Sequence, residues 1–456
     1  MTRLGDVTHT IVFEGRPLAC RAGLNVAVAL WENGIKVLSH SHKFGRPRGL
    51  TCARGHCMGC LMRIDGEPNV RACRTPVREG MVVARQGSGA PHGPVLHKVL
   101  DTGGHLLPVG FYFKWFTRPD WLRKAFLGSL RPLTGVGRIP DRPRPARLTD
   151  GAPVPAPAAV DTLVVGAGAA GLRAALSAPG PVLLVDDLPA CGGHRRSALD
   201  RVAGAGDGLI ERFPRLSDLR ERLENDVRRV AAADRIEIRP ETRVVGGYQP
   251  DMLLLKDASG LVPVRADSIV WAGGAWDRIG DFENNDLPGL MGPRALYRLV
   301  AIQGLRVAGS GVVVFGQGLD LWLSAALLHA MGARVTLVLD AAGDADGRAL
   351  VAARDLGWAL HLGLDPQRAR GRDGALAGMT FANGDGSTRL RADIAVSCSR
   401  AKPAHDIPYQ LGADLVLDPR RGGFAPRSPG ATGDAVSVVG EAAGDLPEDL
   451  CTEAAE

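Results

Sequence analysis

Residues 162–187 read TLVVGAGAAGLRAALSAPGPVLLVDD, and the order of textures within them decides the fold. Thr162–Val165 is a continuous apolar run, a glycine turn follows, Leu172–Ala178 has helical character, and Val182–Val185 is a second apolar run. Two such runs joined by a helix predict a βαβ unit whose parallel strands are buried on both faces. The turn Gly166-Ala167-Gly168-Ala169-Ala170-Gly171 places GxGxxG between strand and helix, and Asp186 stands twenty residues beyond its first glycine. In that context the motif predicts a dinucleotide site. Gly166 permits the tight turn, Gly168 lets a pyrophosphate approach the backbone, and Gly171 lets helix and strand pack closely. Ala167 and Ala170 complete the candidate contacts of the turn, and the helix N-terminus faces the phosphates. Asp186 is expected to accept the adenosine ribose hydroxyls. Asp187 beside it disfavours a 2′-phosphate, so NADP is not expected. Gly192-Gly193, five residues on, suit either close passage beside the same ligand or an ordinary turn.

A second unit of the same design lies at 311–340, with strand VVVF, turn GQG, helix LWLSAALLHAMG and strand VTLVL. Here the third glycine position holds Leu321, so this fold is expected to be vestigial and without nucleotide. Between the units lies IVWAGG (269–274), and VSVVGEAAG (436–444) is expected to return the chain to the first sheet. Two mononucleotide-binding folds, the second nested in the first, is the organisation of two-dinucleotide flavoproteins.

Toward the N-terminus the texture is β-rich. Thr8–Phe13 alternates, Glu14-Gly15-Arg16 turns, Pro17–Cys20 returns, and Asn25 can cap a helix with Val26, Ala27, Leu30 and Trp31 on one face. Cys60–Ile64 and Met81–Ala84 read as short strands. Within this unit, Cys52-x4-Cys57-x2-Cys60-x12-Cys73 has the plant-type spacing of a [2Fe–2S] cluster. Zinc is the competing ligand, but zinc ribbons pair two C-x2-C knuckles and only one is present. The order of elements is that of a β-grasp ferredoxin. Cys20, Cys398 and Cys451 read as small buried hydrophobes, and Cys191 lacks a partner for dithiol chemistry.

The predicted fold class is therefore α/β: an N-terminal β-grasp [2Fe–2S] ferredoxin-like domain followed by a nested, Rossmann-like two-dinucleotide flavoprotein fold. The expected boundaries are 1–95 for the ferredoxin unit and 96–157 for an aromatic-rich connector (LLPVGFYFKWF at 106–116) with a Pro-rich linker. The first nucleotide-binding part spans 158–305, the nested second fold 306–395, and the return 396–456. Across 456 residues the net charge is +6, and the arginines are scattered among aliphatic residues, so nucleic acid is not an expected partner. No apolar run is long enough for a membrane span, and the N-terminus lacks the apolar core of a secretory signal. Clustered cysteines, rather than a disulfide framework, suit a reducing cytoplasm.

SHSHKFGRPRG (39–49) before the cysteine loop, LPVGFYFKWF, GAGAAG with VDDLPACGG, and AGGAWDR with FENNDLPGLMGPRAL occur in the family order of one group. Together they resemble the α (A) subunits of heteromeric sarcosine oxidase and of its shorter relatives, the opine and dye-linked proline dehydrogenases and hydrogen cyanide synthase. The resemblance implies an electron-transfer subunit of a flavin-dependent amine or amino-acid dehydrogenase or oxidase acting on CH–NH donors of sarcosine, proline, hydroxyproline, opine or glycine type. The substrate would be oxidised on an amino-acid-oxidase-like β-subunit, with a small third subunit in some complexes. No catalytic residue is expected on this chain. The implied cofactors are the [2Fe–2S] cluster on Cys52, Cys57, Cys60 and Cys73, FAD (or NAD in the same site), and FMN at a subunit interface. Gly193, His194, Val244, Gly273, Gly274, Gly440 and Glu441 fall at nucleotide-contacting positions of the family. Ala272-Gly273-Gly274 stands where the family has A-T-G. The folate-binding domain of the long sarcosine oxidase subunits is not expected. Two other readings remain open: a self-sufficient NADH:acceptor reductase, and a structural subunit that holds its nucleotide as a fixture.

Overall fold

A computed structural model of the protein describes residues 8–41, 46–85, 118–133, 156–249, 251–339, 346–419, 423–427 and 436–445. The aromatic segment 106–116, most of the Pro-rich linker and Cys451 lie outside them.

The N-terminal unit is a five-stranded sheet in the order Arg16–Arg21, Thr8–Phe13, Val82–Arg85, Leu61–Ile64, Glu67–Arg71. Thr8–Phe13 pairs antiparallel with its hairpin partner and parallel with Val82–Arg85, the mixed pairing of a β-grasp. The helix Val26–Glu32 is capped by Asn25, whose side chain accepts from the Val28 amide. All six residues Val26–Trp31 are buried rather than one face alone. The reason is tertiary: this helix lies between its own sheet and the nucleotide-binding body, so both sides are covered. One hydrophobic core runs from Ile11 and Leu30 through Leu199, Leu299 and Leu321 to Val335 without a break.

The first nucleotide-binding sheet runs Ile236–Arg239, Val182–Val185, Ala158–Val165, Leu261–Trp271, Met252–Lys256, Arg243–Gln249. The strands at 158–165, 182–185 and 236–239 are parallel, as the βαβ pattern requires. Val436–Val438 pairs parallel with Ile269–Trp271, so the chain does return to this sheet. Inserted between is a second sheet, Leu290–Met291, Ile394–Cys398, Gly311–Gly316, Arg334–Leu339, Ala359–Leu362, parallel throughout. A three-stranded antiparallel sheet at 365–391 closes it.

The segment from Asp286 to Gly304 joins all three units. Asp286 pairs with Arg46 of the ferredoxin unit at 3.1 Å, and Gln303 donates to the Ala53 carbonyl in the cysteine loop at 2.9 Å. Gly304 O accepts from Arg21 at 2.7 Å. Among the described residues, no helix is long and apolar enough to cross a membrane.

Candidate functional site

The glycine turn is held by its own carboxylate. Asp186 Oδ2 accepts from the Ala167 amide at 2.6 Å and Oδ1 from the Leu188 amide at 2.8 Å. Each oxygen keeps a second lone pair for a ribose hydroxyl. Burial, then the neighbouring Asp187, raises the Asp186 pKa, while these two amides oppose the rise. Gly166 has φ +102°, and a Cβ there would stand 2.3 Å from Ala272 O. At Gly171 a Cβ would sit 1.7 Å from Gly166 O, so helix and strand touch through this glycine. Gly168 differs: its φ is −75° and a Cβ would meet nothing nearer than Gly193 Cα at 3.9 Å. That space is left open by the packing. Gly193, with φ +72°, passes the turn closely enough that its own Cβ would lie 3.0 Å from Gly168 Cα. Close passage, rather than an ordinary turn, is what the doublet serves.

These residues open on a cavity of about 710 Å3, a size typical of cofactor sites. Its lining brings together Gly166, Gly168, Ala170, Asp186, Asp187, Gly193, His194, Val244, Gly273, Gly274 and Glu441 from five separate stretches of chain. Ala167, Gly171 and Gly440 support the wall from behind; a Cβ at Gly440 would lie 2.5 Å from Ala170 Cβ. At Gly273 a Cβ would meet the Trp271 ring at 2.6 Å. Trp271 donates to Ala404 O at 2.8 Å, so its ring occupies the room a threonine would need. The departure from A-T-G thus has a steric cause.

Cys52 and Cys57 line the same cavity. The four cysteines fall into two facing pairs, Cys52 with Cys57 and Cys60 with Cys73, each pair joined through its side chains. A [2Fe–2S] cluster asks for this: two thiolates per iron, with the irons bridged by sulfide. The Arg54 and Cys57 amides both donate to Cys52 Sγ at 3.4 Å. With the Cys57 thiol, these bonds pull Cys52 down to about 4 against the effect of burial. The donor set and its amide shell fit the cluster.

Sequence reasoning missed the residues that tie the two sites together. Arg54 Nε donates to Asp187 Oδ2 at 2.9 Å, Arg298 Nη2 bonds Asp187 Oδ1 at 3.2 Å, and Arg243 stands 3.8 Å away. Burial pushes the Asp187 carboxyl up, but Arg54 and Arg298 outweigh it and hold it well below its usual range. Trp276 takes the Arg54 guanidinium over its ring at 4.8 Å and stacks on His56 at 4.0 Å. These partners are 56 to 222 residues apart along the chain, and no local spacing announces them.

At the far wall, Arg195 binds Asp320 with two nitrogens, at 2.8 and 2.7 Å, and Glu441 at 2.6 Å. Arg294 pairs with Glu441 at 2.8 Å and with Asp277 at 3.2 Å. Burial alone would raise Glu441, yet the two arginines hold it well below the usual carboxylate range. Asp320 is likewise drawn to about 2. His194 is half-buried in the cavity wall, and its buried Nε2 has no hydrogen-bond partner. Burial first, then Arg195 and Arg294, keep that imidazole neutral.

A ferredoxin-like unit whose cysteine loop walls the cavity at the glycine turn of a nested α/β fold defines a chain of the iron–sulfur flavoprotein type. Residues 7–88 match the 2Fe-2S iron-sulfur cluster binding domain family. The chain is 26% identical over 357 residues to sarcosine oxidase subunit alpha of Rhizobium meliloti, covering 74% of this chain and 34% of that one. It is 39% identical over 85 residues to hydrogen cyanide synthase subunit HcnA of Pseudomonas aeruginosa, covering 19% of this chain and 81% of that one. The crystal structure of L-proline dehydrogenase from P. horikoshii superimposes with a TM-score of 0.59 at 18% identity, covering 96% of this chain and 70% of that one. The protein belongs to the family of α-subunits of heteromeric sarcosine oxidase and hydrogen cyanide synthase. It spans about a third of the length of the sarcosine oxidase subunit it matches.

Proposed function

We propose that this chain is the electron-transfer subunit of a heteromeric flavin-dependent dehydrogenase or oxidase acting on the CH–NH group of an amine or amino acid. The observation that carries the reading is the shared wall: Cys52 and Cys57 line the cavity on which Gly166, Gly168 and Gly193 open. Electrons held in that cavity need no long path to the cluster.

In this reading the substrate is oxidised on an amino-acid-oxidase-like partner subunit, and this chain holds an adenine dinucleotide, FAD ahead of NAD. A flavin accepts two electrons together and releases them singly, which suits a one-electron cluster. The chain's own residues bind and orient. The Gly166–Gly171 turn and the helix N-terminus behind it take the pyrophosphate, and Gly168 leaves the room for it. Asp186 and the backbone around Val244 receive the adenosine end. Glu441, fixed by Arg195 and Arg294, lies beside Gly274 in the cavity wall, its Oε2 3.8 Å from where a Cβ of residue 274 would stand. Cys52, Cys57, Cys60 and Cys73 hold the irons. An FMN between the subunits belongs to the same reading.

The test is to co-express the chain with its partner and add a CH–NH substrate without oxygen. The expected protein is brown, with about two irons and two acid-labile sulfides per chain, and its cluster is reduced by the substrate. Cys57→Ser removes most of the colour and that response. Stoichiometric zinc without sulfide, or a cluster that stays oxidised while substrate is consumed, overturns the reading.

A further inference from the structure

We infer that Arg54 couples the cluster to the nucleotide cavity, so that adenine nucleotide binding and cluster reduction oppose each other. The inference rests on the nucleotide and cluster sites of the reading above and adds a linkage between them.

Arg54 belongs to both sites. It lies two residues after Cys52 and three before Cys57, and its amide donates to Cys52 Sγ at 3.4 Å. Its side chain leaves the cysteine loop and bonds Asp187 Oδ2 at 2.9 Å. Asp187 adjoins Asp186, whose carboxylate holds the Ala167 amide in the glycine turn at 2.6 Å. The turn is therefore connected to a cluster sulfur through Asp186, Asp187 and Arg54, with no gap. The loop is also clamped from the nucleotide side. Arg243 donates to Arg54 O at 3.3 Å, Gln303 donates to Ala53 O at 2.9 Å, and Trp276 stacks on His56 and carries the Arg54 guanidinium over its ring.

Charge sets the sign. Four thiolates around two irons are anionic, and reduction adds one electron. A nucleotide brings phosphates into a cavity lined by Cys52, Arg54 and Cys57. Negative charge gained at either site raises the cost of negative charge at the other, strongly so in a partly buried setting. Both draw on the same guanidinium. Linkage makes the effect reciprocal: a nucleotide that lowers the cluster potential must bind the reduced protein more weakly by the same factor.

ADP is the probe, because it carries the pyrophosphate and adenosine but no redox centre. Its affinity is measured by calorimetry on oxidised and on dithionite-reduced protein freed of resident nucleotide, as the complex if the complex is the stable form. The cluster potential is titrated with and without saturating ADP, followed by the electron-paramagnetic signal of the reduced cluster. About tenfold weaker binding to the reduced form is expected, matched by a potential about 59 mV lower with ADP bound for a one-electron couple. Arg54→Gln should bring the affinity ratio toward one, and Arg54→Lys should restore part of it. Trp276→Leu lies outside the cysteine loop, so it reads the coupling even if Arg54→Gln disturbs cluster assembly; it should shrink the ratio as well. ADP that binds with equal affinity to both forms and leaves potential and signal unchanged overturns the coupling and leaves the two sites standing. An unchanged ratio in Arg54→Gln and Trp276→Leu removes Arg54 from it. Failure of ADP to bind the nucleotide-free protein overturns the nucleotide site and the coupling together.

Discussion

The turns at Gly166–Gly171 and Gly316–Leu321 both follow a buried parallel strand and open a helix, yet their surroundings have little in common. After the first turn, helix Ala169–Ser177 buries only Gly171, Leu172 and Ala175, and its N-terminus looks into a cavity. After the second, every residue from Leu319 to Leu328 is buried, including Asp320 and Ser324. The Asp320 carboxylate sits in the first turn of that helix, where the dipole favours an anion, and is gripped by Arg195 and Tyr297. The first turn is a mouth and the second is a joint. The third motif position decides much of this. Gly171 has Gly166 O against it, whereas Leu321 is fully buried within the main core.

Giving the first turn the second one's residue should have the largest effect. In Gly171→Leu a Cβ would collide with backbone at 1.7 Å, and backbone cannot move aside as a side chain can. We expect a loss at or beyond the ~3 kcal/mol upper end of ordinary overpacking, read as little soluble protein and no heat-released nucleotide. A folded Gly171→Leu protein with nucleotide bound would break the comparison.

The reverse exchange, Leu321→Gly, should open a core void rather than a second site. Truncation of a buried leucine costs about 2–5 kcal/mol, and glycine within a helix adds ~1 kcal/mol. The denaturation midpoint should fall accordingly, with no gain in nucleotide per chain. A second equivalent of nucleotide would show that Leu321 alone had closed the site.

Gly168→Val separates ligand space from packing space. Its backbone conformation suits any residue and its Cβ direction is open, so unliganded stability should change by less than ~1 kcal/mol. Nucleotide occupancy should nevertheless fall at least tenfold, measured by released adenine absorbance. Unchanged occupancy would place the pyrophosphate elsewhere.

The smallest expected effect lies at His194, between the mouth and the joint. Its folded pKa is lowered, by burial first and then by Arg195 and Arg294. Below the unfolded value of about 6.5, the unfolded chain takes up a proton that the folded chain resists. Stability from this group is thus full above about pH 6.5 and declines as pH falls, by at most ~1.4 kcal/mol per pH unit. Urea titrations at pH 7.5 and 5.5 should show the decline, and His194→Gln should flatten it. An identical slope in the variant would assign the acid sensitivity to other groups.

Much of the architecture was legible. Glycine spacing, two apolar runs and the cysteine intervals are local patterns, and each carries its own steric or coordination requirement. The return of Val436–Val438 to the first sheet was also readable, as a short apolar run ahead of the last glycine motif. The helix Val26–Glu32 was misjudged as one-sided. Its second face is covered by a unit some 170 or more residues away in sequence, and periodicity reports only how many faces are apolar. Asp186 and Asp187 were both read from the sequence as facing the nucleotide, and the structure gives them different partners. One holds the backbone of the turn, and the other is gathered in by arginines from three different regions.

By itself the sequence determined which residues could contact a pyrophosphate and which could hold two irons, since those needs are met by glycines and thiols at short, fixed intervals. Only the tertiary structure decided that the two chemistries share one wall. It decided too that Arg54 bridges them, that Trp271 takes the place of a threonine, and that the second turn is filled from within. The physical reason is range. Backbone sterics and metal ligation act over a few residues, whereas burial and charge pairing choose their partners only after folding has brought distant segments together.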